Sequence, residues 1–256
     1  MSSEDILTLP PPPTDERLHY GPDPNQFVDL RRPAGKGPNP ALVFLHGGFW
    51  RAKYDLTHAG HVCAALTAKG VTTWNVEYRR VGNSGGGWPE TFEDTNKAFR
   101  FVSQMAKRYG LDLTRLTVMG HSAGGQLALA LAAHQPSIGR AVSLAGVIDL
   151  RRAWKLHLSH DAVAEFLGGS PEQVPEHYRE ASPMDLEIKN ANQLLVHGTE
   201  DDVVPVSLSR DYYEAKKKRG EKVDLLEFPH AGHFELIDPR STVWAALQDR
   251  LLKLLT

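Results

Sequence analysis

Ten consecutive residues constrain this chain more than any others: Leu116-Thr117-Val118-Met119-Gly120-His121-Ser122-Ala123-Gly124-Gly125. The apolar run predicts a strand, and the small-residue and leucine stretch Ala123 to His134 predicts a helix. Between them lies Gly-x-Ser-x-Gly. A serine on so sharp a strand-to-helix turn is held in strained dihedrals with its oxygen exposed. Gly120 and Gly124 lack side chains, so the two arms can approach closely. The turn also sets the Ala123 N–H at a helix N-terminus, where a developing oxyanion would be stabilised. The plainer reading is an N-cap serine at a glycine-rich helix start; the strand–turn–helix context favours the nucleophile, Ser122.

The rest of the chain repeats that rhythm. Gln26 to Arg32 alternates and is expected as an early edge strand. Strands are expected at Ala41–Leu45, Val71–Tyr78, Ala141–Leu144, Gln193–His197 and Val223–Phe228. Helices are expected at Leu56–Lys69, Phe92–Tyr109 with Gly110 as its stop, Ser207–Arg219 and Thr242–Leu255. Such alternation implies βαβ units and a mostly parallel sheet with helices on both faces, which is an α/β fold. Ligands then bind beyond the carboxyl ends of the strands, where every motif below also falls. Residues 150–185 break the rhythm with short helical pieces and turn residues. They read as a small insertion over the active edge, lid-like or simply a long connection. Residues 1–15, with Pro10 to Pro13, read as a solvated, partly extended arm ahead of one domain spanning 16–256.

A serine needs a base, and the base needs an orienting acid. Leu194 to His197 leads into the acidic loop Gly198-Thr199-Glu200-Asp201-Asp202, ahead of Val203-Val204-Pro205. Asp201 has the best spacing; Asp202 and Glu200 compete with it, and like charges so close disfavour burying more than one. The last strand opens into His230-Ala231-Gly232-His233-Phe234. His233, after a flexible Ala-Gly step, is the expected base, and His230 a loop brace. Upstream, Phe44-Leu45-His46-Gly47-Gly48-Phe49-Trp50 ends a strand in glycines. Gly48 and Phe49, with Gly47 next, are the candidate second donors to the oxyanion, and His46 is expected to hold the loop. Trp50, Trp88, Trp154 and Phe166 are expected near the substrate because their loops reach the same edge.

Other chemistries find little support. Asn83 to Pro89 is glycine-rich but lacks Gly-Lys-Ser/Thr and the dinucleotide fingerprint, and the remaining histidines lack metal-ligand spacing, so no metal and no cofactor are expected. Apolar content of 41% and charged content of 23% suit a folded globular body. A formal net charge of −2 points to no nucleic-acid partner, and no segment is apolar enough to span a bilayer. The single cysteine, Cys63, sits among small apolar residues and reads as core. No charged start and apolar stretch marks a signal peptide, so a cytoplasmic protein is expected. Oligomeric state stays open.

The His46-Gly47-Gly48-Phe49-Trp50 and Gly120-His121-Ser122-Ala123-Gly124-Gly125 pair resembles the esterase/lipase branch of the α/β-hydrolase superfamily, most of all small carboxylesterases and kynurenine formamidases (arylformamidases). His197-Gly198-Thr199 through Pro205, and Gly232-His233-Phe234, resemble that superfamily's acid and histidine loops. The resemblance covers about residues 16–255. It implies the α/β-hydrolase fold and acyl transfer from a small-molecule ester or amide, with a carboxylic ester first and an aryl formamide second. A binding protein on the same scaffold is the reading from another class; such proteins typically lose a triad member.

Overall fold

The structure is a computed structural model and describes residues 3–35 and 37–255. Eight strands form one sheet: β1 Glu16–His19, β2 Phe27–Arg31, β3 Asn39–Leu45, β4 Thr72–Val76, β5 Leu111–His121, β6 Arg140–Leu144, β7 Asn192–Gly198 and β8 Val223–Phe228. Their spatial order is β1-β2-β4-β3-β5-β6-β7-β8. The β1–β2 and β2–β4 pairs are antiparallel and all others parallel. The helices are α1 Gly60–Thr67, α2 Glu90–Gln104, α3 Ala106–Tyr109, α4 Ala123–His134, α5 Leu150–Lys155, α6 Ala162–Leu167, α7 Pro175–Ala181, α8 Ser207–Lys218 and α9 Trp244–Leu255.

Successive residues of a strand face opposite sides of a sheet, and β3 divides accordingly. Ala41, Val43 and Leu45 join a core with α2, α4, α8 and the 150–185 segment, whereas Leu42 and Phe44 join a second core with α1 and α9. The sheet is therefore covered on both faces, as its near-continuous apolar strands require. Helix α4 is buried from Ala123 to Ala132, all but its last two residues. Its alanines and glycines let it lie close against β5 and β6, which brings the serine turn to the centre of the sheet edge.

Two expectations change. The strand expected at Gln26–Arg32 is not at the edge: Glu16–His19 pairs outside it, a short, polar strand that alternates between half-buried and exposed residues. The expected solvated arm is instead tied down. Ser3–Leu7 forms a 3-10 helix whose Ile6 is completely buried in the core with α1 and α9. Arg31 donates to the Pro12 carbonyl at 2.8 Å and the Thr14 hydroxyl to the Leu30 carbonyl at 2.7 Å. The apolar Ile6 outweighs its acidic neighbours, because burying such a side chain contributes roughly 2 kcal/mol. Met1 and Ser2 lie outside the described residues.

Cys63 is fully buried, and burial pushes its thiol up to about 12, so it is core and not a nucleophile. Among the described residues, no helix is long and apolar enough to cross a membrane.

Candidate active site

Strand β5 ends at His121 and α4 starts at Ala123, so Ser122 occupies a one-residue turn. Its φ of 55° and ψ of −119° fall where L-residues are strained. The strain is held from outside: Ser122 N–H donates to Leu144 O at 2.8 Å, and Val147 N–H donates to Ser122 O at 3.2 Å. Ala123 is the first helical residue, so its N–H has no partner within the helix. A side chain at Gly124 would collide with the carbonyls of Leu45 and His46. That close approach packs the serine turn against the loop that follows β3.

The loop after β3 has positive φ at Gly48, Phe49 and Trp50. A side chain at Gly47 would touch Ser122 Cβ at 3.1 Å, so the two turns are in van der Waals contact. Beneath the loop, buried His46 stacks on Tyr78 with ring centroids 4.4 Å apart. Its Nδ1 bonds Gly47 O at 2.7 Å and its Nε2 bonds Glu77 Oε1 at 3.1 Å. Glu77 also accepts from Leu56 N–H and Tyr78 N–H and pairs with Arg80. This buried network holds the backbone that carries the Gly48 and Phe49 amides.

Asp201, on the loop after β7, is the acid that meets the histidine. His233 Nδ1 lies 2.7 Å from Asp201 Oδ2, and both side chains are buried. The other oxygen, Oδ1, accepts the N–H groups of Val203 and Val204 at 2.9 and 2.7 Å. Completely buried His197 lies behind the carboxylate, its Nε2 3.2 Å from Oδ2. That nitrogen donates to Val204 O at 2.8 Å, which leaves Nδ1 to accept from Ser209 Oγ at 2.7 Å. Burial alone would raise Asp201, but the hydrogen bonds from His197, His233 and the backbone outweigh it, holding the carboxyl well below its ordinary range. Of the rivals, Glu200 is exposed and pairs with His230 at 2.7 Å, while Asp202 lines the cavity.

Ser122 and His233 open onto one cavity of about 490 Å³. His121 ties their loops together: its Nε2–H donates to His233 O at 3.0 Å, and the two rings lie 4.5 Å apart. Burial, with His233 beside it, keeps His121 neutral, its pKa well below the ordinary histidine value.

The cavity walls differ from those expected. Trp50 is fully buried, donates to Gln126 Oε1 at 3.0 Å and stacks on buried Phe166 at 4.5 Å. Trp88 packs edge-on to Phe166, and Trp154 packs against the same core. None of the four lines the cavity; its walls come from Leu7, Phe49, Tyr54, Phe234 and the Leu156–His160 loop. Among the described residues, no group of three or more histidine, cysteine or acidic side chains is arranged to hold a metal ion.

Comparison with known proteins identifies the family. The BD-FAE family profile matches residues 28–215. Esterase LipC of Mycobacterium tuberculosis is 31% identical over 88% of this chain and 61% of its own length. Kynurenine formamidase of Drosophila melanogaster is 26% identical over 88% of this chain and 76% of its own. The native structure of a thermophilic esterase from the Planctomycetes species Thermogutta terrifontis superposes with a TM-score of 0.74 at 25% identity, covering 95% of this chain and 92% of that one. The chain thus spans about three fifths of the length of the mycobacterial esterases it matches, 61% of each. It has the α/β-hydrolase fold, in the superfamily's esterase branch, and belongs to the BD-FAE family.

Proposed function

We propose that the protein is a serine hydrolase that cleaves carboxylic esters through an acyl-serine intermediate. The observation that carries this is that His233, held by buried Asp201 at 2.7 Å, and strained Ser122 open onto one cavity. Ser122 Oγ attacks the ester carbonyl while His233 Nε2 takes its proton. The oxyanion is held by Ala123 N–H and by Gly48 or Phe49 N–H, one such donor typically being worth about 10²–10³ in turnover. Collapse breaks the bond to the leaving alkoxide, which takes the proton from His233. Water, deprotonated by His233, then attacks the acyl carbon; the acid leaves and Ser122 regains its proton. Asp201 fixes the histidine tautomer and stabilises the imidazolium without itself gaining a proton. The cavity volume suits a small-molecule substrate.

A second reading, aryl-formamide hydrolysis, draws on the likeness to the Drosophila formamidase and on the aromatic walls Phe49, Tyr54 and Phe234. Esters rank first because they need less leaving-group assistance. The test compares p-nitrophenyl esters of graded chain length with N-formyl-kynurenine, using wild type and Ser122→Ala. Ester turnover abolished in the variant is expected. A preference of several hundredfold for the formamide would reverse the ranking, and Ser122-independent turnover would remove the mechanism.

A further inference from the structure

The loop from Leu156 to His160 lines the same cavity as the serine turn, and it is an awkward piece of backbone. Four of the five residues from His157 to Asp161 have positive φ: His157 at 52°, Ser159 at 50°, His160 at 54° and Asp161 at 60°. None is glycine, and residues in that region persist only where their surroundings hold them. The loop's own bonds are local, such as His157 N–H to Trp154 O and His157 Nδ1 to Asp161 Oδ1.

One side chain from elsewhere grips it. Arg51 Nε donates to Glu165 Oε2 at 2.7 Å, one terminal nitrogen to Ser159 Oγ at 3.0 Å, and the other to His160 O at 3.2 Å. Among the described residues, no other side chain from outside residues 150–185 hydrogen-bonds this loop. The base of the grip is itself fixed. Arg51 N–H donates to Gly48 O at 3.0 Å and its backbone bridges to Val81. Arg51 therefore joins the substrate wall to the loop that presents the Gly48 and Phe49 amides. Its fork of donors is a geometry that lysine cannot reproduce.

We propose that Arg51 is a specificity-determining positioning residue: it clamps the Leu156–His160 wall against the cavity and so sets which ester lengths the site accepts. This rests on the serine-esterase reading. The substrate would touch the wall, not Arg51, so the clamp acts through KM and the length profile.

The experiment measures kcat and KM for two series, p-nitrophenyl esters from acetate to octanoate and acetates of increasing alcohol size. Wild type, Arg51→Met and Glu165→Gln are compared. In Arg51→Met the ratio of kcat/KM between the shortest and longest member should shift by about 10-fold or more in at least one series, a size typical of altered pocket contacts. The shift should lie mainly in KM, and hydrogen exchange of the 156–161 amides should quicken. Glu165→Gln, which weakens the same grip from an exposed position, should shift the ratio in the same direction by less, and it carries the test if Arg51→Met does not fold. Unchanged ratios in both series, or a uniform loss across all esters, overturn the proposal. Fluorophosphonate labelling of Ser122 separates the two readings. A labelled wild type with unchanged ratios overturns the clamp alone, whereas a wild type that neither labels nor hydrolyses any ester overturns both.

Discussion

Asp201→Asn changes one atom at the point where the site's protonation states are decided. Oδ1 accepts two backbone N–H groups, from Val203 and Val204, so in the variant the amide oxygen must stay on that side. The new Nδ2 then faces His233 Nδ1 and His197 Nε2, both donors in the native arrangement. His233 can relieve the clash only by moving its proton to Nε2, and that nitrogen then cannot accept the Ser122 proton. A base locked in the wrong tautomer costs about 10⁴ in kcat, or about 5 kcal/mol of barrier. The fold should lose less, about 1–3 kcal/mol, because the two backbone bonds survive. The assay is kcat and KM on a p-nitrophenyl ester, with thermal melting to confirm folding. KM should move only a few-fold, and Glu200→Gln, which disturbs an exposed pair, should retain kcat within about 2-fold. A folded Asp201→Asn protein keeping more than about a tenth of wild-type kcat would refute the assignment.

Buried His58 supplies a prediction about acid stability. Burial, reinforced by neighbouring His46, lowers its pKa to about 3, so the folded state keeps it neutral where the unfolded chain binds a proton. The stability this contributes is complete above about pH 6.5 and declines as pH falls toward about 3, by up to ~1.4 kcal/mol per pH unit. Urea titrations from pH 7 to 4 should show a shallower decline in His58→Asn, and equal slopes would contradict the assignment. Gly124→Ala would drive a methyl group into the Leu45 and His46 carbonyls. A loss of about 1–3 kcal/mol or more, with activity falling further as the oxyanion loop is displaced, is expected from melting and turnover together, and wild-type values in both would contradict the packing.

The parts of the site legible in the sequence are those where backbone geometry dictates residue type. Gly120, Ser122 and Gly124 are forced by a strained turn between a strand and a helix, and the helix Ala123–His134 lies where the residues predict it. Spacing favours Asp201 as the acid, and the 2.7 Å contact with His233 is what sets it apart from Glu200 and Asp202. The cavity walls were not legible. Loop position brings Trp50 and Phe166 to the right edge, but the Trp50 ring is buried in the core, where it donates to Gln126. Leu7 and Leu156–His160 have no periodicity to mark them, and their role depends on contacts over a hundred residues away. Strand β1 is not legible because Glu16-Arg17-Leu18-His19 carries one apolar residue in four. His197 stood beside the acid loop in the sequence, yet only its place behind the Asp201 carboxylate gives it a function.

The most direct measurement is a crystal structure of the protein after reaction with a fluorophosphonate, alongside intact-mass analysis of wild type and Ser122→Ala. Phosphorus bonded to Ser122 Oγ, with its oxygen on the Ala123 and Gly48 or Phe49 amides and His233 Nε2 within hydrogen-bond reach, is the predicted result. An adduct on another residue, or a hydroxyl at 122 that stays unmodified while esters are still turned over, would contradict it.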